Sequence, residues 1–305
     1  MNWTEATKYV FLNFKHDSFF DPLLFVLFLF IYIFTLTGNL IIILLVAKVQ
    51  SLKSPMYFFL SQLSLSDILI TTNITPNMLH VIINGGSTIS IAGCITQMYF
   101  HGVSASAECL LLTVMSYDRY LAICKPLHYT SIMDLRLQIY LVISSWFLAF
   151  LLSLVVTSVI CQFNFCGPRI INHFFCDFAP ILEMSCSDIT IAKHSNVVLA
   201  ILVSVLPFSF IIYSYISIFI TIFRIPSTRG KQKAFSTCSS HLIVVTMYYG
   251  TIITVYIIPN SGSSFNTNKA ISLLYTMGTP LLNPIIYSLR NHDIKMVIKK
   301  LILIC

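Results

Sequence analysis

Seven long apolar stretches run along this chain, at residues 23–47, 56–79, 94–123, 138–162, 196–223, 235–259 and 269–289. A helix needs about 20 mainly apolar residues to cross the hydrocarbon core of a bilayer, and every stretch is long enough. With 57% hydrophobic and only 10% charged residues, the chain lacks the charge of an ordinary soluble domain, which averages about 25%. The expected fold is an all-α membrane protein, a seven-transmembrane helix bundle. An odd number of spans places the two termini on opposite sides.

Charge then says which side is which. The net charge of +7 looks like a nucleic-acid signal until it is sorted by location. Lys48, Lys53, Arg119, Lys125, Arg136, Arg224, Arg229, Lys231, Lys233, Arg290, Lys295, Lys299 and Lys300 all fall on one side, which is thirteen of the 18 basic residues. Lys8, Lys15, Arg169, Lys193 and Lys269 fall on the other, together with Glu5, Asp17, Asp21, Asp177, Glu183 and Asp188. The positive-inside rule makes the first side cytoplasmic and the N-terminus extracellular. The basic excess therefore reports topology and contact with the lipid bilayer, not nucleic acid.

Three regions are expected: an extracellular N-terminal segment 1–22, the helix bundle 23–289, and a cytoplasmic tail 290–305. The first segment lacks the charge, apolar run and cleavage pattern of a removable signal peptide. In the tail, Ile294, Val297, Ile298 and Leu301 recur at helical spacing among Lys295, Lys299 and Lys300. That pattern predicts a short amphipathic helix on the inner membrane face. The inner loops, about 48–55, 124–137 and 224–234, are short. The outer segment 163–195 is the long connection, and loops of that length are usually functional. Pro207 and Pro284 lie inside spans, where neighbouring helices can satisfy a locally unwound backbone.

Outer-side chemistry is readable too. Asn2-Trp3-Thr4 is a glycosylation acceptor placed outside, whereas the matching Asn73-Ile74-Thr75 lies within a span. Cys94, Cys166, Cys176 and Cys186 lie on the outer side, where an oxidising compartment allows two disulfides in any of three pairings. Cys109, Cys124, Cys161, Cys238 and Cys305 are expected to be free.

Several motifs occur in order along the spans. Gly38-Asn39 lies in the first. Ser54-Pro55-Met56-Tyr57-Phe58-Phe59-Leu60 and Leu63-Ser64-Leu65-Ser66-Asp67 open the second. Met115-Ser116-Tyr117-Asp118-Arg119-Tyr120-Leu121-Ala122-Ile123-Cys124, continued by Lys125-Pro126-Leu127-His128-Tyr129, closes the third. Ser214-Tyr215 lies in the fifth, and Lys233-Ala234-Phe235-Ser236-Thr237-Cys238-Ser239-Ser240-His241-Leu242 begins the sixth. Pro280-Leu281-Leu282-Asn283-Pro284-Ile285-Ile286-Tyr287 ends the seventh. Together they resemble the olfactory receptors, specifically the tetrapod-type (class II) branch of the rhodopsin-like G-protein-coupled receptors. Lys53 replaces the usual histidine of a Leu-His pair, and Ser116 the usual alanine; neither carries chemistry.

The resemblance implies a plasma-membrane receptor for small, mostly apolar volatile ligands that activates a stimulatory heterotrimeric G protein and raises cyclic AMP. It selects the pairings Cys94–Cys176 and Cys166–Cys186, and makes Asn172-His173-Phe174-Phe175-Cys176-Asp177 a lid over the cavity. Asp118, Arg119 and Tyr120 become a two-state element at the inner helix end: Arg119 is held by its neighbour at rest and released towards the G protein, supported by Tyr215, Asn283, Pro284 and Tyr287.

Asp67 and Glu108 are the acids deep in the second and third spans. A charge at that depth is costly, so either they share a cation or one is protonated. The resemblance implies an internal sodium ion, with Asn283 and Ser104 able to complete an oxygen-rich site; a protonated packing pair is the alternative. No other cofactor is expected.

The cavity walls are read from helical spacing in the outer halves of the spans. The third offers His101, Gly102, Ala105 and Ser106; the fifth Leu199, Val203 and Ser204. The sixth offers Tyr249, Ile252, Ile253 and Tyr256, and the seventh Leu273 and Thr276. Mostly apolar walls with few polar fixings are the usual style of a small-molecule site. His101 either bonds a ligand oxygen or a neighbouring helix. A ligand of ~12 heavy atoms at ~0.6 kcal/mol each binds at about −7 kcal/mol, roughly 10 μM.

Nothing points to an enzyme: there is no phosphate-binding glycine loop, nucleophile elbow or zinc spacing. The alternative of another class is an ion-conducting or transporting protein that uses Asp67 and Glu108, although paired half-repeats are not visible.

Overall fold

The computed structural model describes residues 8–12, 20–166, 170–171, 173–256, 272–290, 294–297 and 299. Within them the chain is a bundle of seven long helical segments capped at one end by a small sheet. The segments are α1 (Asp21–Lys48), α2 (Pro55–Ile83), α3 (Ile91–Cys124) and, after a short inner helix α4 (Tyr129–Ile132), α5 (Leu135–Ile160). A short outer helix α6 (Phe178–Glu183) follows, then α7 (Thr190–Ala200), which continues through a π-helical stretch into α8 (Leu206–Arg224). The sixth and seventh segments are α9 (Thr228–Tyr256) and a second π stretch running into α10 (Thr279–Arg290).

Local chemistry sets the boundaries. Pro55 sits in the first turn of α2, where its missing N–H costs nothing. The Ser90 hydroxyl accepts from Gly93 N at 3.0 Å to cap α3, and Asp134 Oδ1 accepts from Leu137 N at 2.8 Å to cap α5. Each π stretch, Ile201–Val205 and Leu274–Gly278, directly precedes a proline-bearing turn, at Pro207 and Pro280. A proline removes an i→i−4 bond and crowds the preceding turn; the wider π turn absorbs both effects.

Among the described residues four segments are long and apolar enough to cross a membrane by composition: Asp21–Lys48, Ile91–Cys124, Leu135–Ile160 and Thr190–Arg224. The α2 segment misses that threshold because Ser61, Ser64, Ser66, Asp67, Thr71 and Thr75 punctuate it, and all are buried against neighbours. The α9 segment is less apolar for the same reason, since Ser239, Ser240, His241, Thr246, Tyr248, Tyr249 and Thr251 interrupt its apolar run. In α1 and α5 most of the surface is instead exposed and apolar, including Val26, Phe30, Ile33, Ile143, Phe147 and Leu154. A continuous apolar exterior on that scale belongs in lipid. The chain is a multi-pass membrane protein.

Two boundaries differ from the sequence reading. The expected inner loop 224–234 shrinks to residues 225–227, because α9 starts at Thr228 and carries its basic residues on helix. The fifth span begins at Thr190, not 196, because polar Lys193, His194, Ser195 and Asn196 form its outer turns. In the tail, residues 294–297 are helical and Ile294 is buried while Lys295 and Met296 are exposed; Ile298 and Leu301, like Asn2, lie outside the described residues.

The cap was not anticipated. Strand β1 (Lys8–Leu12) lies between β2 (Gly86–Ser90), antiparallel, and β3 (Ile170–Ile171), parallel. Val10 faces Thr88 on one side and Ile170 on the other. The turn into β2 needs glycine: Gly85 has φ 66°, and Gly86, at φ 157°, would place a Cβ 3.1 Å from the Phe11 carbonyl oxygen. Phe11 is fully buried beneath the sheet, against Val81, Met98, Ile171 and the Cys94–Cys176 pair.

Candidate functional site

Three layers of buried polar groups are strung along α3, from the capped end of the bundle to the basic end. At the capped end Cys94 is bonded to Cys176 and Cys166 to Cys186. Gln97, one turn below Cys94, fixes the loop: its Oε1 accepts from Cys176 N at 2.9 Å and its Nε2 donates to Asn73 O at 2.9 Å. Asn73 Nδ2 donates back to Gln97 O at 2.8 Å, joining α2 to α3. This pins the following rings inside the bundle. Phe174 and Phe175 are buried with Ile70, Ile74, Met78, Tyr275 and Met277 of the second and seventh segments.

His101 lies directly under this lid, its ring 5.1 Å from Phe175 and 5.8 Å from Tyr275. It is 6% exposed, and its Nδ1 is buried with no hydrogen-bond partner among the described residues. An unpaired nitrogen in an aromatic box costs about 1–3 kcal/mol unless something bonds it.

The expected wall residues divide into two groups. Leu273 packs with the lid rings beside His101. Deeper, Val203, Tyr249 and Ile252 share the main core with Cys109 and Tyr248. There the Tyr248 hydroxyl donates to Ala105 O at 2.8 Å and accepts from the Cys109 thiol at 3.3 Å, while Tyr249 stacks on Phe208 at 4.5 Å. Thr276 is buried and donates to Ser272 O of its own helix at 2.7 Å. Ser106, Leu199 and Ser204 are half-buried. Gly102 faces elsewhere: a Cβ there would meet Ser153 Oγ of α5 at 3.1 Å, so its small size serves helix packing. The side chains of Ile253 and Tyr256 lie outside the described residues.

The middle layer centres on Asp67. Asn283 Nδ2 donates to both its carboxylate oxygens, at 3.1 and 3.0 Å, tying α2 to α10. Glu108 is close enough for its charge to interact with Asp67, and its Oε1 is buried with no hydrogen-bond partner among the described residues. Ser66 donates to Ser104 O at 2.9 Å. Asn39 Nδ2 donates to Thr35 O and to Pro280 O, each at 3.1 Å. One turn along the seventh segment, a Cβ on Gly38 would stand 3.1 Å from Pro284 Cγ, so glycine lets α1 and α10 approach. Two carboxylates come near each other here, and one Glu108 oxygen has no hydrogen-bond partner among the described residues, which suits a hard cation; Asn283 turns its N–H towards Asp67 and so offers no oxygen in this arrangement. Oxygen ligands of this kind suit hard ions. Among the described residues no group of three or more His, Cys, Asp or Glu converges.

At the basic end Arg119 is paired with Asp118, through Nη2 and through Nε at 2.9 Å to Oδ2. The second oxygen of Asp118 is also taken, because Tyr129 of α4 donates its hydroxyl to Oδ1 at 2.8 Å. Burial, then the Asp118 charge, hold the Tyr129 hydroxyl above its ordinary value, so it stays a donor. Tyr215 is committed elsewhere. His241 Nε2 lies 3.1 Å from Leu112 O, which can only accept, so that nitrogen carries the proton. Nδ1 then accepts from the Tyr215 hydroxyl at 2.6 Å. This relay joins the third, fifth and sixth segments. The Tyr287 hydroxyl is buried with no hydrogen-bond partner among the described residues, and Tyr120 is half-buried.

Tyr129, His241 and Gln97 are the participants that sequence reasoning missed. Tyr129 and His241 stand inside the quoted motifs, but motif membership gives no partner. Gln97 lies three residues after Cys94, on nearly the same helix face, and that spacing was a usable signal.

The chain is similar to known proteins over nearly its whole length. The family model described as "Olfactory receptor" matches residues 28–304. Human "Olfactory receptor 10A4" is 46% identical over 302 residues, covering 99% of this chain and 96% of that protein. Mouse "Olfactory receptor 1M1" is 44% identical over 301 residues, with coverage of 99% and 96%. Among solved structures, squid rhodopsin superposes with a TM-score of 0.72 at 17% identity, over 92% of this chain and 85% of that one. At that identity the likeness concerns the fold.

Proposed function

The chain belongs to the olfactory receptor family, so it is an odorant-sensing G-protein-coupled receptor and not an enzyme, and on that premise we propose where the odorant sits and how it signals. The odorant is a small, mostly apolar volatile held in the outer half of the bundle, with the Phe174–Phe175 lid above it and His101 as its polar fixing. The observation that carries this reading is the buried Nδ1 of His101, without a partner among the described residues, between Phe175 and Tyr275. A ligand hydroxyl or carbonyl there relieves the cost of the orphaned nitrogen. The N-terminus is extracellular, Asn2 is glycosylated, and the receptor works at the plasma membrane.

The partner in this reading is the stimulatory G protein, with cyclic AMP as output. At rest Asp118 and Tyr129 hold Arg119, and His241 holds Tyr215. Agonist biases the bundle towards a state in which Arg119 is released to the G protein and Tyr215 and Tyr287 turn in beside it. Asp67 and Glu108 would hold a sodium ion favouring the resting state. Family membership leaves the conducting or transporting alternative without a supporting observation.

The test is cyclic AMP in cells displaying the receptor, screened against volatile panels, with surface delivery measured for every form. Wild type is expected to respond in a dose-dependent way and Arg119→Ala to be silent. His101→Leu is expected to lose about tenfold in potency, one hydrogen bond's worth. Full signalling by Arg119→Ala at normal surface density would overturn the activation mechanism. Unchanged potency in His101→Leu would remove His101 from the cavity.

A further inference from the structure

Apolar rings are not the only neighbours of His101. Asp177, the residue after the bonded Cys176, is half-buried and close enough for its charge to act on the His101 imidazole. Its place is fixed from both sides. Before it, Cys176 is joined to Cys94 and donates its N–H at 2.9 Å to Gln97 Oε1, one helical turn above His101. After it, Asp177 Oδ1 accepts from Phe178 N at 2.7 Å and caps α6. A carboxylate has about four acceptor positions, so the cap leaves it able to take a further donor.

We propose that the preferred ligands are small alkylamines, bound as ammonium ions between His101 Nδ1 and the Asp177 carboxylate beneath the Phe174–Phe175 lid. This rests on the cavity of the proposed function and adds a preferred class to its hydroxyl and carbonyl ligands. The choice follows from what each polar end would meet. A carboxylate ligand is repelled by Asp177, and among the described residues the buried Lys or Arg side chain is Arg119, at the other end of α3. A hydroxyl can satisfy the imidazole nitrogen but gains nothing from the charge beside it.

An ammonium uses both groups. It has several N–H donors and no acceptor, so it selects the imidazole tautomer with the proton on Nε2 and donates to Nδ1. A second N–H is directed at Asp177, and bonds between ionised partners are stronger than neutral ones. Phe175 and Tyr275 border the imidazole at 5.1 and 5.8 Å, and aromatic faces attract a cation at such distances. Burying an ammonium is costly unless it is both paired and hydrogen-bonded. Acid, imidazole and rings meet that condition together, while the alkyl tail lies against the apolar wall.

The test is ligand-observed NMR titration of the full-length receptor in phosphatidylcholine nanodiscs, with empty nanodiscs as the blank. The probes are n-hexylamine, n-hexanol and hexanoic acid, which share one carbon chain. The amine is expected to bind about tenfold more tightly than the alcohol, and the acid most weakly. Asp177→Asn removes the charge but keeps a side-chain oxygen for the cap of α6. It is expected to bring the amine to the level of the alcohol and to leave the alcohol unchanged. Wild type that holds the amine no more tightly than the alcohol would overturn the proposal, and so would an Asp177→Asn receptor with undiminished preference for the amine. An alcohol bound without the amine overturns the ligand class and leaves the cavity standing. Binding of none of the three overturns both.

Discussion

Tyr129 shows how one hydroxyl can complete the partners of a buried carboxylate. Asp118 has two oxygens, and Arg119 alone would leave one of them free; the Tyr129 hydroxyl takes it at 2.8 Å. A hydrogen bond to a charged group contributes about 1.5–3 kcal/mol. Tyr129→Phe is therefore expected to raise basal cyclic AMP at equal surface density, by loosening the group that restrains Arg119. Basal output indistinguishable from wild type would show that Tyr129 is a bystander. Its raised value also has a sign. The protonated hydroxyl is the form favoured in the folded protein, so its contribution is complete below the ordinary tyrosine value near 10 and is lost only as pH rises through the higher folded value. The effect of Tyr129→Phe should thus be the same at any pH between about 6 and 9. At this scale the sequence exposed Asp118 and Arg119, because charges at a helix end in a membrane protein stand out. It hid Tyr129 and His241, whose meaning lies in partners on other segments.

At the scale of elements, the helices were legible and the sheet was not. A span announces itself through some 20 apolar residues, but Lys8–Leu12 is five residues whose partners lie at 86–90 and 170–171. No local pattern encodes pairings that distant. What they achieve is visible in Phe11, fully buried against the Cys94–Cys176 pair. The strand thus anchors the same loop whose Phe174 and Phe175 are buried between the second and seventh segments, the lid of the proposed cavity. Removing a buried phenylalanine costs about 3–5 kcal/mol in a packed core, and here the loss falls on the lid. Phe11→Ala is expected to weaken odorant potency while leaving basal cyclic AMP per surface receptor near wild type, since Arg119 sits at the far end of α3. If potency is unaffected at normal surface density, the strand is no part of the lid. The π stretches before Pro207 and Pro280 were also illegible in detail: a proline predicts a disturbed helix, not whether it kinks or widens.

Across the whole molecule, α3 connects these layers. Its 34 residues span about 51 Å at 1.5 Å each, enough to carry Cys94 and His101 under the cap, Glu108 at mid-depth and Arg119 at the basic end. The lid and the basic end are held at opposite ends of α3, so a signal has to pass through a two-state middle. Asp67 and Asn283 are placed for that, since they join α2 to α10 beside Glu108. If the orphaned Glu108 oxygen helps hold a sodium ion in the resting bundle, the ion and the odorant favour opposite states, and each weakens the other by the same factor. Raising sodium at constant ionic strength, with a larger organic cation as replacement, should then shift the odorant dose–response curve to higher concentration in wild type. Glu108→Gln removes one carboxylate and should flatten that dependence while leaving a response. Potency that ignores sodium in both forms would leave Asp67 and Glu108 as a protonated packing pair. The coupling between the ends of the bundle would then run through packing alone.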